Sequence, residues 1–299
     1  NHGKIDYKVH IYAVGRVGSP ANIMESHDGG LTWKSNNMDK DCKMLFDIKM
    51  FDKQTGFACA ASDEAIEKSN ALILKTNDGG KTWRKVYQSD RPYETTWKVS
   101  FPTEKVGYVT IQSYNPDPNA KQQRIAKTID GGETWQEINL VEDASAREFG
   151  VGFIDENHGF VGTMNSGYET KDGGKTWSTP IRVNDDGTQT EHGFASLWPW
   201  SKNELAIAWL DGRNTGGGSH DAHAGHGEAS GRMMTLRAAV YDGKGRKTAE
   251  WPLDASTCDC CQTDAAVTAN GPVIIYRDRN PQEIRDIYVT RHVGGRWQT

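Results

Sequence analysis

Short runs of alternating apolar and polar residues fill most of this chain, and they return in a fixed order. Phe51-x4-Gly56-Phe57-Ala58, Phe101-x5-Gly107-Tyr108-Val109 and Phe153-x5-Gly159-Phe160-Val161 each read as strand, short turn, strand. Each run leads to a third apolar stretch and then to a shared phrase. Its four copies are Ser26-His-Asp28-Gly-Gly-Leu-Thr-Trp33, Thr76-Asn-Asp78-Gly-Gly-Lys-Thr-Trp83, Thr128-Ile-Asp130-Gly-Gly-Glu-Thr-Trp135 and Thr170-Lys-Asp172-Gly-Gly-Lys-Thr-Trp177. A unit is therefore predicted to hold four strands, with the phrase at the turn between the third and fourth.

Asp followed by Gly-Gly is a tight reversal signal. The carboxylate accepts hydrogen bonds from the turn's own amides, and the glycines supply positive φ. Thr and Trp then open the next strand with residues that suit a pleated surface. A Trp at the same place in each copy is expected to pack between neighbouring units, where its burial is worth at most about 4–6 kcal/mol gross. The phrase aspartates lie 50, 52 and 42 residues apart, a period that signals a propeller of four-stranded blades or a solenoid.

Following the rhythm beyond Trp177, where the phrase decays, predicts an all-β, single-domain β-propeller of six blades. They fall at about 1–36, 44–87, 96–140, 149–183, 192–253 and 263–299. The first blade begins on a segment that aligns with a second strand, so ring-closing residues are expected to be missing from this stretch. Residues 214–231, rich in Gly and His, break the period and read as a long flexible loop in the fifth blade.

At 299 residues and 33.2 kDa the chain is long enough to bury a large core. A net charge of -5 without a basic stripe argues against a nucleic-acid partner. No apolar run approaches the length of a membrane span. The first residue is Asn, so a processed or trimmed chain is expected. Five cysteines, three of them in Cys258-Asp-Cys260-Cys261, fit an exported protein with disulfides or a metal-binding protein.

Antiparallel strands put the 1–2 and 3–4 turns on one face of each blade. The 2–3 loops and 4–1 connections share the other, and irregular loops on a rigid scaffold are where function usually sits. This sorting gathers Glu191, Asp211, Arg213, the His-rich tract, the cysteine cluster and residues 276–285.

The shared phrase resembles the Asp-box, or BNR, repeat of sialidase-like β-propellers, which implies the fold but not sialidase activity. The first 177 residues resemble the Asp-box propellers that help to build photosystem II, implying a protein partner and no chemistry. From Val183 onward the chain resembles bacterial sialidase-like exported proteins. The phrases that carry this are Val-Asn-Asp-Asp-Gly-Thr-x-Thr-Glu191-His192-Gly-Phe, Ala208-Trp-Leu-Asp211-Gly-Arg213, Cys-x-Cys-Cys-Gln-Thr and Tyr276-Arg-Asp-Arg279. The implied setting is export from a bacterial cell, and the implied ligand is an anionic glycan or another carboxylate.

Arg213, Arg277 and Arg279 would grip a carboxylate in bidentate fashion. Glu191, Asp211, Asp278 and Glu283 would supply acid or base, and Tyr276 or Tyr93 a nucleophilic phenol of the sialidase kind. The Arg-Ile-Pro phrase with which sialidases announce their first catalytic arginine is missing, so hydrolysis and simple binding stand as alternatives. The same charges read as rim ion pairs and turn caps.

A second chemistry is a metal site. Cys258, Cys260 and Cys261, with His220, His223 and His226, offer soft ligands suited to copper or zinc. The spacing is not that of a zinc finger. The alternative is disulfides, with two of the three pairing elsewhere, and with Cys42 and Cys59 either bridged or serving as a loop thiol and a core residue.

Overall fold

The computed structural model describes residues 10–15, 20–28, 31–120, 122–140, 146, 150–163, 166–180, 185–188, 190–215 and 233–299. The fold is an all-β, six-bladed β-propeller of antiparallel sheets, and a 3-10 turn at Ile66–Lys68 is the only helical segment among the described residues. Two compact units divide the chain at residues 144 and 145, with three sheets in each.

In the first unit, β1 (Ile11–Gly15), β2 (Asn22–Ser26) and β3 (Lys34–Asn37) form a three-stranded sheet. The second sheet runs β4 (Met44–Met50), β5 (Gly56–Ala61), β6 (Ala71–Thr76) and β7 (Arg84–Gln88). The third runs β8 (Glu94–Ser100), β9 (Gly107–Ser113), β10 (Arg124–Thr128) and β11 (Gln136–Asn139).

The second unit opens with β12 (Gly150–Phe153), β13 (Gly159–Gly162) and β14 (Gly167–Thr170). The fifth sheet is β15 (His192–Ser201), β16 (Glu204–Asp211), β17 (Met234–Asp242) and β18 (Lys247–Thr257). The sixth is β19 (Asp264–Thr268), β20 (Gly271–Arg277), β21 (Ile287–Val293) and β22 (Arg296–Gln298).

The inner strands β5, β9 and β13 are buried on both faces, so period two sorts their side chains between two cores. On β5, Ala58 and Ala60 pack with Ile23 and Ala21 beside the first sheet, while Phe57 and Cys59 join Val109 and Ile111 of the third. Cys42 lies in the first of these cores and Cys59 in the second, so of the two readings, a bridge or two separate thiols, the second holds and both are free.

The Asp-box turns behave as their residue types dictate. Asp78 accepts the Thr82 amide at 2.9 Å and the Thr82 hydroxyl at 2.6 Å, and the Thr76 hydroxyl donates to the same carboxylate at 2.9 Å. Asp28, Asp130 and Asp172 repeat this pattern. Gly79 and Gly80 sit at φ of 75° and 86°, where only glycine is unstrained. Trp83 packs back onto the first sheet and Trp135 onto Phe57 of the second. Trp33, whose sheet has no predecessor within its unit, is 43 % exposed.

The recurring glycine before the second strand has a packing reason. A Cβ on Gly107 would lie 2.1 Å from the Phe101 ring, and one on Gly159 would lie 2.4 Å from Phe153. At Gly56 the covering group is Met50, 2.2 Å away, rather than Phe51. The ring or thioether six residues upstream covers the glycine each time, and Met50 is register partner to Gly56 as Phe153 is to Gly159. Phe51, one position later, instead packs edge-on against Phe57 and Phe101. The sequence alignment of Phe51 with Phe101 is corrected by one residue.

Candidate functional site

The fifth and sixth sheets bring the cysteine segment and the 276–285 loop together. Leaving β18, the backbone makes an antiparallel bridge from Thr257 to Asp278, and the Cys258 amide donates to the Arg277 carbonyl at 2.9 Å. On its other side the segment is tied down by Thr263, whose hydroxyl donates to the Phe194 carbonyl at 2.6 Å and lies 2.7 Å from the Ser196 hydroxyl. Cys258, Cys260 and Cys261 are thus held on a short, doubly anchored turn.

Their sulfurs converge. Cys258 lies 3.4 Å from Cys260 and 3.2 Å from Cys261, and Cys260 lies 3.9 Å from Cys261. All five cysteines are free thiols, and no disulfide joins any two of them. Cys258 is 1 % exposed, Cys261 half-buried and Cys260 exposed. Guanidinium groups back the cluster: Arg277 Nη1 donates to Cys261 Sγ at 3.4 Å, and Arg285 Nη1 reaches Cys258 Sγ at 3.7 Å. The Cys261 thiol, hydrogen-bonded to Cys258, helps to draw Cys258 down to about 5 against the opposing effect of burial. The same contact pushes Cys261 up, and burial pushes Cys260 up. One thiolate is therefore stabilised by two neighbouring thiols and a cation.

The remaining residues of the loop are engaged with one another. Arg279 donates to Glu283 at 2.6 Å, and Arg285 to the other Glu283 oxygen at 3.2 Å. Glu283 occupies a left-handed φ of 62°. Asp278 lies in the backbone bridge with Thr257, and burial raises its carboxyl. Tyr276 is buried, and its hydroxyl donates to Asp254 at 2.5 Å.

Asp211 and Arg213 assemble instead with the ends of β15, β16 and β18. Asp211, fully buried, accepts Trp209 Nε1 at 2.8 Å, Arg213 Nε at 2.7 Å and Arg213 Nη2 at 2.8 Å. Burial alone would raise its carboxyl, but these donors outweigh burial and hold it below the usual range. His192 Nε2 lies 3.0 Å from Asp186 and 3.6 Å from Asp211. Arg213 also faces Asp186 at 3.4 Å and Glu250 at 3.5 Å. Asp186, His192 and Asp211 are close enough to share a cation, yet the guanidinium already supplies the positive charge there. An apolar cavity of about 50 Å³, walled by Phe160, Tyr168, Trp209 and Tyr241, lies against His192 and does not reach the cysteines. Glu191 enters through its backbone, whose carbonyl accepts the Gly212 amide at 2.9 Å.

The sequence-predicted residues therefore divide. Arg277, Arg279 and Glu283 gather near Cys258, Cys260 and Cys261, whereas Asp211 and Arg213 form a buried ion network of their own. His220, His223 and His226 lie outside the described residues. Sequence reasoning gathered Arg285 within residues 276–285 and Asp186 within the phrase that starts at Val183 without giving either a role, and it passed over Glu250 and Asp254. Nothing local singled out Arg285 or Asp254, whose partners lie 27 and 22 residues away.

Residues 6–110 match the family described as photosynthesis system II assembly factor YCF48. No curated protein matches the chain. Among solved structures it is similar to a protein of unknown function from Dyadobacter fermentans, at 13 % identity and a TM-score of 0.62, covering 92 % of this chain and 84 % of that one. It is also similar to the GH93 α-L-arabinofuranosidase of Fusarium graminearum in complex with arabinobiose, at 15 % identity and 0.62, covering 94 % and 89 %. A third likeness, at 13 % identity and 0.59, is to a mutant of Trypanosoma rangeli sialidase displaying trans-sialidase activity, covering 96 % of this chain and 52 % of that one. The chain resembles both kinds of propeller. At these identities the likeness to the solved structures is one of fold.

Proposed function

We propose that the protein is a non-hydrolytic Asp-box propeller whose connection from β18 to β19 binds a thiophilic metal ion through Cys258, Cys260 and Cys261. The carrying observation is the convergence of three free thiols within 3.9 Å of one another. Three sulfurs around one ion at the usual metal–sulfur distance of about 2.3 Å stand about 4 Å apart, so a shift of several tenths of an ångström admits the ion.

Recognition of a glycan carboxylate asks for uncommitted guanidiniums and a reactive phenol. Arg213 and Arg279 are taken up by carboxylates, and Arg277 by a sulfur and a carbonyl. Burial raises the pKa of the Tyr276 phenol, and its hydrogen bond to Asp254 raises it further. These engagements favour the metal reading over glycoside hydrolysis.

The test is metal analysis of the reduced full chain. One equivalent of copper or zinc per chain, abolished in Cys258→Ser, supports the proposal. Wild-type protein that carries neither ion after reconstitution overturns it.

A further inference from the structure

Asp259 and Cys260 occupy a turn between β18 and β19, so Cys258 and Cys261 stand at its two ends. A reverse turn brings such positions to within about 7 Å at their Cα atoms, which is about the reach of a disulfide. Cys258 and Cys261 are also the closest pair, at 3.2 Å between sulfurs. Cys260 and Cys261 stand 3.9 Å apart at sulfur and are adjacent in sequence. A trans peptide holds adjacent Cα atoms about 3.8 Å apart, closer than a disulfide ordinarily spans. Cys-x-x-Cys is also the spacing of thiol–disulfide exchange sites.

The three thiols differ in access. Cys260 is exposed, Cys261 half-buried and Cys258 1 % exposed. A solute therefore meets Cys260 first, and Cys258 waits 3.4 Å behind it. Arg277 and Arg285 touch Cys261 and Cys258, while Asp259 and Glu283 act in turn on Arg285. Exposure and geometry, not net charge, therefore set the order of events. Cys42 and Cys59 are buried in cores of the first unit.

We infer that Cys258 and Cys261 form a reversible disulfide that empties the metal site, with Cys260 as the thiol on which a small-molecule disulfide enters. The release of the ion rests on the metal reading above; the pairing of the sulfurs does not. The Cys260 thiolate attacks the small disulfide, forming a mixed disulfide and freeing one small thiolate. Cys258 attacks the Cys260 sulfur and expels the second small thiolate. Cys261 then attacks Cys258 and returns Cys260 as a thiolate. Two protein thiols are oxidised, their protons pass to the two small thiolates, and one small disulfide is reduced. The ion loses two of its three sulfur ligands.

The experiment equilibrates the reduced, metal-free full chain with oxidised glutathione, counts thiols by alkylation in denaturant and weighs the intact chain. Wild type is expected to show two thiols fewer than the five of the reduced chain, to carry no glutathione, and to recover both thiols with dithiothreitol. Cys260→Ser is expected to form the same bond more slowly. Cys258→Ser and Cys261→Ser are expected to lose it and to retain one glutathione on Cys260. Thermal melting confirms that each variant is folded, with alanine replacing serine in any that is not. Wild type loaded with zinc, or with copper(I) where only that ion binds, is expected to release it under the same treatment and to rebind it after reduction.

Binding of neither ion overturns the metal reading and the release with it, while the pairing is still judged on the metal-free chain. No disulfide in wild type, or one formed in Cys261→Ser as fast as in wild type, overturns the pair assigned here. A loaded chain that keeps its ion through the treatment leaves the metal reading standing and overturns the release.

Discussion

The Tyr276 hydroxyl donates to the Asp254 carboxylate at 2.5 Å, tying the end of β20 to the last turn of β18. Both strands run straight into the thiol cluster, so this bond fixes the relative height of the cysteine segment and of the loop carrying Arg277 and Arg285. Its role is structural. Tyr276→Phe leaves a carboxylate facing an apolar ring and is expected to lower stability by about 1–3 kcal/mol, measured by urea unfolding. Wild-type protein is expected to be silent on fluorogenic sialosides and arabinosides. Turnover that disappears in Tyr276→Phe would restore the hydrolytic reading.

Asp211 is the most deeply buried carboxylate of the second cluster and holds Arg213 by two parallel bonds. Removing its charge leaves a guanidinium partly buried, and its new amide group points a donor at other donors. Asp211→Asn is expected to cost about 3–5 kcal/mol, visible as a lowered melting temperature. A variant as stable as wild type would show that Asp186 and Glu250 suffice for Arg213.

The Asp-box carboxylates set an acid limit on stability. Asp28, Asp78 and Asp172 are held at about 2, chiefly by the Thr hydroxyl four residues on, and Asp130 lies lower still for the same reason. Their unfolded values lie near 3.9. A depressed folded value means that stability is fully present above about pH 4 and is lost as pH falls toward 2. Thermal melts across this window are expected to show a steep decline, made shallower by Thr82→Val and Thr134→Val, which remove the strongest donors from two boxes. Curves that superimpose on wild type would show that the boxes do not set the limit.

Gly107 is covered by the Phe101 ring at a distance no Cβ tolerates. Gly107→Ala is expected to cost about 1–3 kcal/mol through overpacking, read from urea midpoints. The double variant Phe101→Leu, Gly107→Ala is expected to recover part of that loss. Failure of the smaller side chain to recover anything would place the strain in the backbone.

Much of the site escaped the sequence for a physical reason. Cys258, Cys260 and Cys261 advertise themselves by adjacency, and Arg277 by its place beside Asp278. Arg285 meets Cys258 across 27 residues and Asp254 meets Tyr276 across 22, through strand register that no local pattern encodes. The pairing of Arg213 with Asp211 and of Arg279 with Glu283 is by contrast local, within two and four residues, and the reading of these charges as ion pairs was open to the sequence. Arg213 pairs with Asp211 only two residues away; what the register of β15 and β16 adds is His192 opposite Asp211.

What the chain's order of residues determined alone is the sequence of reversals and strands. Asp-Gly-Gly corners and period-two apolar runs act within a few residues, so they need no partner to be read. The tertiary structure decided which residue covers each glycine, as with Met50 in place of Phe51, and which cation stands beside which sulfur. Those outcomes depend on side chains meeting across strands, where a shift of one residue turns a group to the opposite face.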